Sequence, residues 1–120
     1  MMIEMIKPDF EFQDGRGSLT QLVHGGFRQF NIIFSKKGVL RGNHYHKENR
    51  EAFYVISGSF ELTVKMEHGQ EVHTFKEGDM FLVPPYVSHS FYYLEDTWIA
   101  SMYDIGVEHP DGSKDIWTDL

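Results

Sequence analysis

The sequence predicts an all-β domain, a sandwich or barrel of short strands. Three observations lead there. Apolar and polar residues alternate with a period of two through most of the chain, which is the spacing of half-buried strands. Eleven glycines and four prolines are spread as punctuation between those runs. No stretch carries a convincing period of 3.6, and many short strands with regular turns leave a sandwich or a barrel.

Taken in order, residues 19–23 and 27–34 read as strands separated by Gly25-Gly26. Residues 51–57 put Phe53 and Val55 on the face of Glu51, and Ala52, Tyr54 and Ile56 on the other. Gly58 joins that run to residues 59–66, where Phe60, Leu62, Val64 and Met66 point one way and Glu61, Thr63 and Lys65 the other. His68-Gly69 reads as a hairpin turn into residues 70–75. Glu77-Gly78-Asp79 turns into residues 80–83, and Pro84-Pro85 stops that strand, since proline donates nothing to a ladder. Residues 89–94 and 97–103 form a further pair about Glu95-Asp96. The segment 2–12, apolar at intervals, suits a strand exchanged with a second copy. The polar tail after Gly106 suits an irregular stretch, an edge strand or a swapped arm.

The 120 residues fit one domain, 1–120. With 41% hydrophobic and 24% charged residues, the composition excludes a disordered chain. Eleven Lys and Arg stand against 18 Asp and Glu, a net charge of −7. Such a chain neutralises no broad array of phosphates, so no nucleic-acid partner is expected. Two or three arginines in a pocket would still hold one anion. Cysteine is absent, which excludes disulfides, thiolate catalysis and cysteine-based zinc sites. No run approaches the about 18 apolar residues of a membrane span, and the first residues are too short and acidic for a signal peptide. The expectation is a cytoplasmic protein with no membrane partner.

The informative stretch lies between Gly38 and Glu51. His44 and His46 are two apart, so a strand presents both imidazoles on one face. Glu51 opens the next strand after a turn around Glu48-Asn49-Arg50, and His89 begins another after Pro84-Pro85. Three imidazoles and a carboxylate suit a borderline divalent metal, zinc before iron, nickel, manganese or cobalt. The remaining histidines, His24, His68, His73 and His109, read as surface residues.

These residues carry a resemblance. Gly38, five residues, His44, one, His46, four, Glu51, six, Gly58 matches the first cupin motif without a gap. Gly78, five residues, Pro84 and then His89 match the second motif, which spans 78–93. Tyr86 stands where that family usually has glycine, and Tyr93 where it often has asparagine. The resemblance covers roughly residues 14–104 and implies a small double-stranded β-helix, the cupin jelly-roll barrel.

Asp14-Gly15-Arg16-Gly17-Ser18 and Val39-Leu40-Arg41-Gly42-Asn43-His44-Tyr45-His46 resemble the nucleotide-sugar cupins. Three branches are similar: dTDP-4-dehydrorhamnose 3,5-epimerases, dTDP-sugar 3,4-ketoisomerases, and the cupin domain of capsular polysaccharide synthesis enzymes acting on UDP-4-keto sugars. The rhamnose-type epimerases lack the second histidine and work without metal. This chain keeps His46 and Glu51, so it resembles the metal-bearing capsular type more. Those enzymes carry a reductase domain as well, for which 120 residues leave no room.

The resemblance implies an epimerase or ketoisomerase of a nucleotide-linked 4-keto-6-deoxy sugar in surface polysaccharide biosynthesis. Such chemistry starts with loss of a proton beside a ketone, which needs a base and a stabilised enolate. It implies His44, His46, Glu51 and His89 as metal ligands, or His44 as base where metal is structural or absent. Tyr103 is the general-acid candidate, near where the epimerases carry a tyrosine. Arg16 and Arg41 fall inside the family words and suit a diphosphate, which a guanidinium grips in bidentate fashion. The same ligands hold iron in cupin dioxygenases, and a non-catalytic sugar- or metal-binding module is the third reading. A homodimer is expected, since cupins commonly pair through sheet faces or exchanged N-terminal strands.

Overall fold

Alternation decides which side of each strand faces inward, and the chain follows it. In the computed structural model, which describes residues 1–118, twelve strands form and no helix is found among the described residues. They are β1 (Glu4–Ile6), β2 (Phe10–Asp14), β3 (Gly17–Gln21), β4 (Gln29–Ser35), β5 (Leu40–Tyr45), β6 (Glu51–Ser57), β7 (Ser59–Met66), β8 (Gly69–Lys76), β9 (Met80–Val83), β10 (Ser88–Tyr93), β11 (Thr97–Tyr103) and β12 (Trp117–Thr118). One sheet runs β1-β9-β6-β11-β4 and the other β12-β5-β10-β7-β8, with every pair antiparallel. A separate hairpin joins β2 to β3. This is the predicted jelly roll.

The inward residues of the two sheets form one core. Phe53 and Val55 of β6, Phe60, Leu62 and Val64 of β7, Phe81 of β9, Phe91 of β10 and Ile99 of β11 are buried together. Phe75 and Phe81 stack with centroids 4.2 Å apart. Met80, Leu82, Ala52 and Met102 point to the other side of the first sheet. Ile6, Leu22, Val23 and Phe27 cover that second cluster.

Some boundaries differ from the sequence reading. Segment 2–12 is not one strand, because Pro8 cannot donate to a ladder. Its halves pair within the chain, β1 with β9 and β2 with β3. The hairpin turn is Glu67-His68, since Gly69 already pairs with Met66. Strand β3 starts at Gly17 rather than residue 19, and β4 starts at Gln29 rather than residue 27. The tail is mostly turns, but β12 pairs with β5 as an edge strand. His73 is half-buried beside Phe75 and held by Glu71 at 3.0 Å, so it is not a plain surface residue.

Glycine is required most sharply at Gly58, between β6 and β7. Its φ is +95°, and a Cβ there would lie 2.5 Å from the Asp96 carbonyl oxygen and 2.7 Å from Thr97 Cα. Gly78 also has positive φ, +88°, but its Cβ position is open. Gly78→Ala should therefore cost only the left-handed backbone penalty, about 1–2 kcal/mol. Gly58→Ala adds overpacking against backbone and should cost about 3 kcal/mol or more. Urea unfolding midpoints check this, and equal losses for the two variants would refute the steric account.

Candidate active site

The histidine pair and its two distant companions converge. His44 is the penultimate residue of β5, His46 follows that strand, Glu51 opens β6 and His89 lies on β10. One ligand atom from each lies within 4.8 Å of the other three. The ring centroids are 5.3 Å apart for His44 and His46, 4.9 Å for His44 and His89, and 5.4 Å for His46 and His89. His46, Glu51 and His89 are buried, and His44 is half-buried.

A bulge sets this arrangement. His44 pairs with His89 and Gly42 with Ser90, so Asn43 is an extra residue on β5. Gly42 and Asn43 have φ of 98° and 65°. A Cβ on Gly42 would lie 2.8 Å from the His89 carbonyl oxygen. An extra residue reverses the phase of alternation. Arg41 and His44, three apart and on opposite faces of a regular strand, therefore both line one cavity. That cavity holds about 300 Å³ between the sheets. Ile33, Phe53, Phe91 and Ile99 make it apolar, and His44, Glu51, His89, Tyr103 and Arg41 supply its polar groups.

Tautomers follow from the partners. His46 Nδ1 lies 2.7 Å from the Asp115 carbonyl oxygen, and His89 Nδ1 lies 3.0 Å from that of Val87. A carbonyl only accepts, so both Nδ1 atoms carry the proton. Each Nε2 then faces the cluster. That of His46 is 3.0 Å from Glu51 Oε1. That of His89 is 3.4 Å from the same oxygen and has no hydrogen-bond partner, although it is buried. Ser101 donates to Glu51 Oε2 at 2.5 Å.

Burial opposes the charge on Glu51, but the hydrogen bond from His46 and the closeness of His89 hold it down at about 2. Burial also opposes charge on His46, yet the bond to Glu51 raises it. His44 is lowered to about 4, by burial first and then by His89 and His46. The Tyr103 phenol is pushed up by burial and by Glu51. An orphaned imidazole nitrogen aimed at an ionised carboxylate and two further imidazoles is a donor set that fits a divalent metal. Zinc, iron, nickel and manganese all accept it.

Tyr103 joins the site edge-on to His46 at 5.1 Å. Arg41 lines the cavity and is exposed. Arg16 is not brought there. It sits in the β2–β3 turn, where Asp14 takes its Nε at 3.0 Å and its Nη2 at 2.6 Å, and its side chain is 87% exposed. Three groups were not singled out from the sequence: Ser101, Asn49 and Asp115. Ser101 carried a signal, a polar residue on the inward face between Ile99 and Tyr103. Asn49 and Asp115 lie in irregular segments where periodicity says nothing.

Comparisons with known proteins agree with this fold. The profile of a family described as polysaccharide biosynthesis C-terminal domain matches residues 12–103. No curated protein sequence matches the chain. A dTDP-4-dehydrorhamnose 3,5-epimerase from Sulfolobus tokodaii is 26% identical, with TM-score 0.77 over 93% of this chain and 75% of the other. The sugar 3,4-ketoisomerase QdtA from Thermoanaerobacterium thermosaccharolyticum, in complex with TDP, is 16% identical, with TM-score 0.83 over 99% and 89%. A 3,4-ketoisomerase from Helicobacter canadensis is 16% identical, with TM-score 0.82 over 99% and 92%.

Protonation at His44 has a definite sign. The unfolded chain binds this proton near 6.5 and the folded chain only near 4, so stability falls as pH drops through that window. His46 acts in the opposite sense, its contribution being present below 6.5 and lost as pH rises through its raised value. Chelator-treated wild type should lose on the order of 2 kcal/mol between those two values from His44. His44→Gln should lose clearly less in urea melts across the same range, and parallel curves would contradict the assignment.

Proposed function

Because the chain belongs to the polysaccharide biosynthesis C-terminal domain family, we propose that it is an epimerase or ketoisomerase of a nucleotide-linked 4-keto-6-deoxy sugar, with a divalent metal at its histidine–glutamate cluster. The observation that carries this reading is the shared cavity: four ligand atoms within 4.8 Å of one another, with Arg41 and Tyr103 in the same walls. The similarity to a 3,5-epimerase and to ketoisomerases supports the substrate class.

His46, Glu51 and His89, the buried members, would hold the metal, which would supply Lewis-acid polarisation of a ketone oxygen. His44 lines the cavity and is the one member of the cluster that is only half-buried. Neutral above a pKa of about 4, its imidazole accepts the proton beside the ketone. Tyr103, kept protonated by burial, donates to the developing oxyanion. Arg41 takes the diphosphate, whose two negative groups match a planar guanidinium. The apolar walls exclude water from the enolate.

The test is solvent deuterium exchange. Zinc-loaded protein is incubated in heavy water with dTDP- and UDP-4-keto-6-deoxy sugars, and the sugars are read by mass spectrometry. Deuterium should enter beside the ketone. His44→Asn should keep zinc and slow exchange by about 10²–10⁴-fold, the usual worth of a general base. Loss of zinc together with exchange would make His44 a ligand instead. Arg41→Ala should raise KM by about 10-fold or more through one lost charged contact. No exchange with any sugar, zinc being bound, would overturn the proposal.

The outer face of the first sheet supports a homodimer. Phe30, Ile32 and Phe34 of β4 point outward beside Met102, Ala100 and Trp98 of β11. Ile32 is 64% and Phe30 59% exposed. An apolar band of this kind on a soluble protein marks an interaction surface. Gel filtration should give a dimer, and Ile32→Glu should shift it to a monomer. A wild-type monomer would refute the pairing.

A further inference from the structure

We infer that residues 107–118 form a clamp on the candidate site, with Asp115 as a positioning residue for His46. The inference rests on His46 belonging to the cluster described above. The family match ends at residue 103, so the clamp lies outside the matched region.

Asp115 reaches His46 in two ways. Its carbonyl oxygen accepts from His46 Nδ1 at 2.7 Å. That contact determines which ring nitrogen is protonated and turns Nε2 toward Glu51 and His89. Its carboxylate holds the loop that follows. Three consecutive main-chain N–H groups, of Lys47, Glu48 and Asn49, donate to it at 2.8, 2.9 and 3.1 Å. Successive N–H groups gathered on one anion form a concave nest. Asn49 Nδ2 adds a bond at 2.9 Å and Trp117 Nε1 one at 3.0 Å. Five donors need a group that only accepts. An ionised carboxylate is such a group, whereas an amide presents two N–H donors of its own.

The carboxylate is itself fixed. Asp115 is 1% exposed, and its N–H donates to the Val107 carbonyl at 2.7 Å. Asn49, fully buried, ties the same loop to the other side of the tail by accepting from Ile105 N–H and Gly106 N–H at 3.1 and 2.8 Å. Trp117 pairs with Tyr45 and Thr118 with His44, while Lys47 Nζ lies 3.8 Å above the Trp117 ring. The four-residue loop between His46 and Glu51 is therefore held by a segment more than 55 residues away in sequence. Ring orientation fixed by a partner on the far nitrogen governs metal affinity, typically by about 10–100-fold.

The experiment is a histidine-selective ¹H–¹⁵N correlation of the metal-free protein, with zinc affinity measured against a chromophoric chelator. Wild type should show His46 protonated at Nδ1, with a slowly exchanging proton. Asp115→Asn should lose that slow exchange and bind zinc about 10–100-fold more weakly. Gly78→Ala, which strains a remote turn, controls for general destabilisation and should leave both signals as in wild type. Asp115→Asn with an unchanged His46 spectrum and zinc affinity would overturn the clamp. So would a wild-type His46 lacking the Nδ1 proton, a result available even if the variant does not fold. A wild type that binds no zinc, but whose His46 signal still depends on Asp115, would sink the metal reading and support the clamp.

Discussion

The site is organised by one buried carboxylate. Glu51 is 3% exposed, and an ionised group there is tolerated only when its oxygens are occupied. Ser101 occupies one oxygen, and His46 approaches the other with His89 close behind. Those partners come from three separate places in the chain. They can meet only if β6 sits between β9 and β11 in one sheet and β5 pairs with β10 in the other, as they do. The charge thus ties the two sheets together at the same end of the barrel where the cavity opens.

Backbone strain collects at the same end. Among the described residues, the non-glycine positions with positive φ are Asn43 and Tyr86, a conformation that costs most side chains about 1–2 kcal/mol. Asn43 precedes His44 and forms the bulge. Tyr86 donates its N–H to the His46 carbonyl at 2.7 Å and lies three residues before His89. Elsewhere the positive-φ positions are glycines. Strain kept beside a cluster, where glycine would relieve it, is the usual mark of a built site.

The strands were legible because their faces differ in polarity. β6, β7, β9 and β11 match the sequence reading at both ends; the first three alternate or are bounded by glycine or proline, and β11 lies between Asp96 and Asp104. That His44, His46 and Glu51 come together was legible because the spacing from Gly38 to Gly58 is specific, and His89 because it follows Pro84-Pro85. The bulge at Asn43 was not, since one inserted residue leaves no trace in a local pattern. Arg16 was legible as a family word but not in its contacts, because Asp14 two residues earlier captures it across the turn. Asp115 was invisible for a different reason. Its partners are backbone groups and an imidazole in a distant loop, and nothing near residue 115 in sequence points to them.

The reach of the tail has a consequence for how the chain becomes competent. The bonds joining Asp115 to residues 46–49 span 66 to 69 positions, among the longest separations in the molecule. Contacts of that span close late, since the entropy of the intervening chain is spent before they return anything. The hairpin β7–β8, closed by a two-residue turn, belongs to the opposite extreme. Strands β6 to β10 pair over shorter spans, so that part of the wall can assemble while His46 is still free to rotate. Its ring is fixed only after residue 115 has been synthesised and has docked. A growing chain that has not yet reached residue 115 can hold β6 to β10 without an ordered His46.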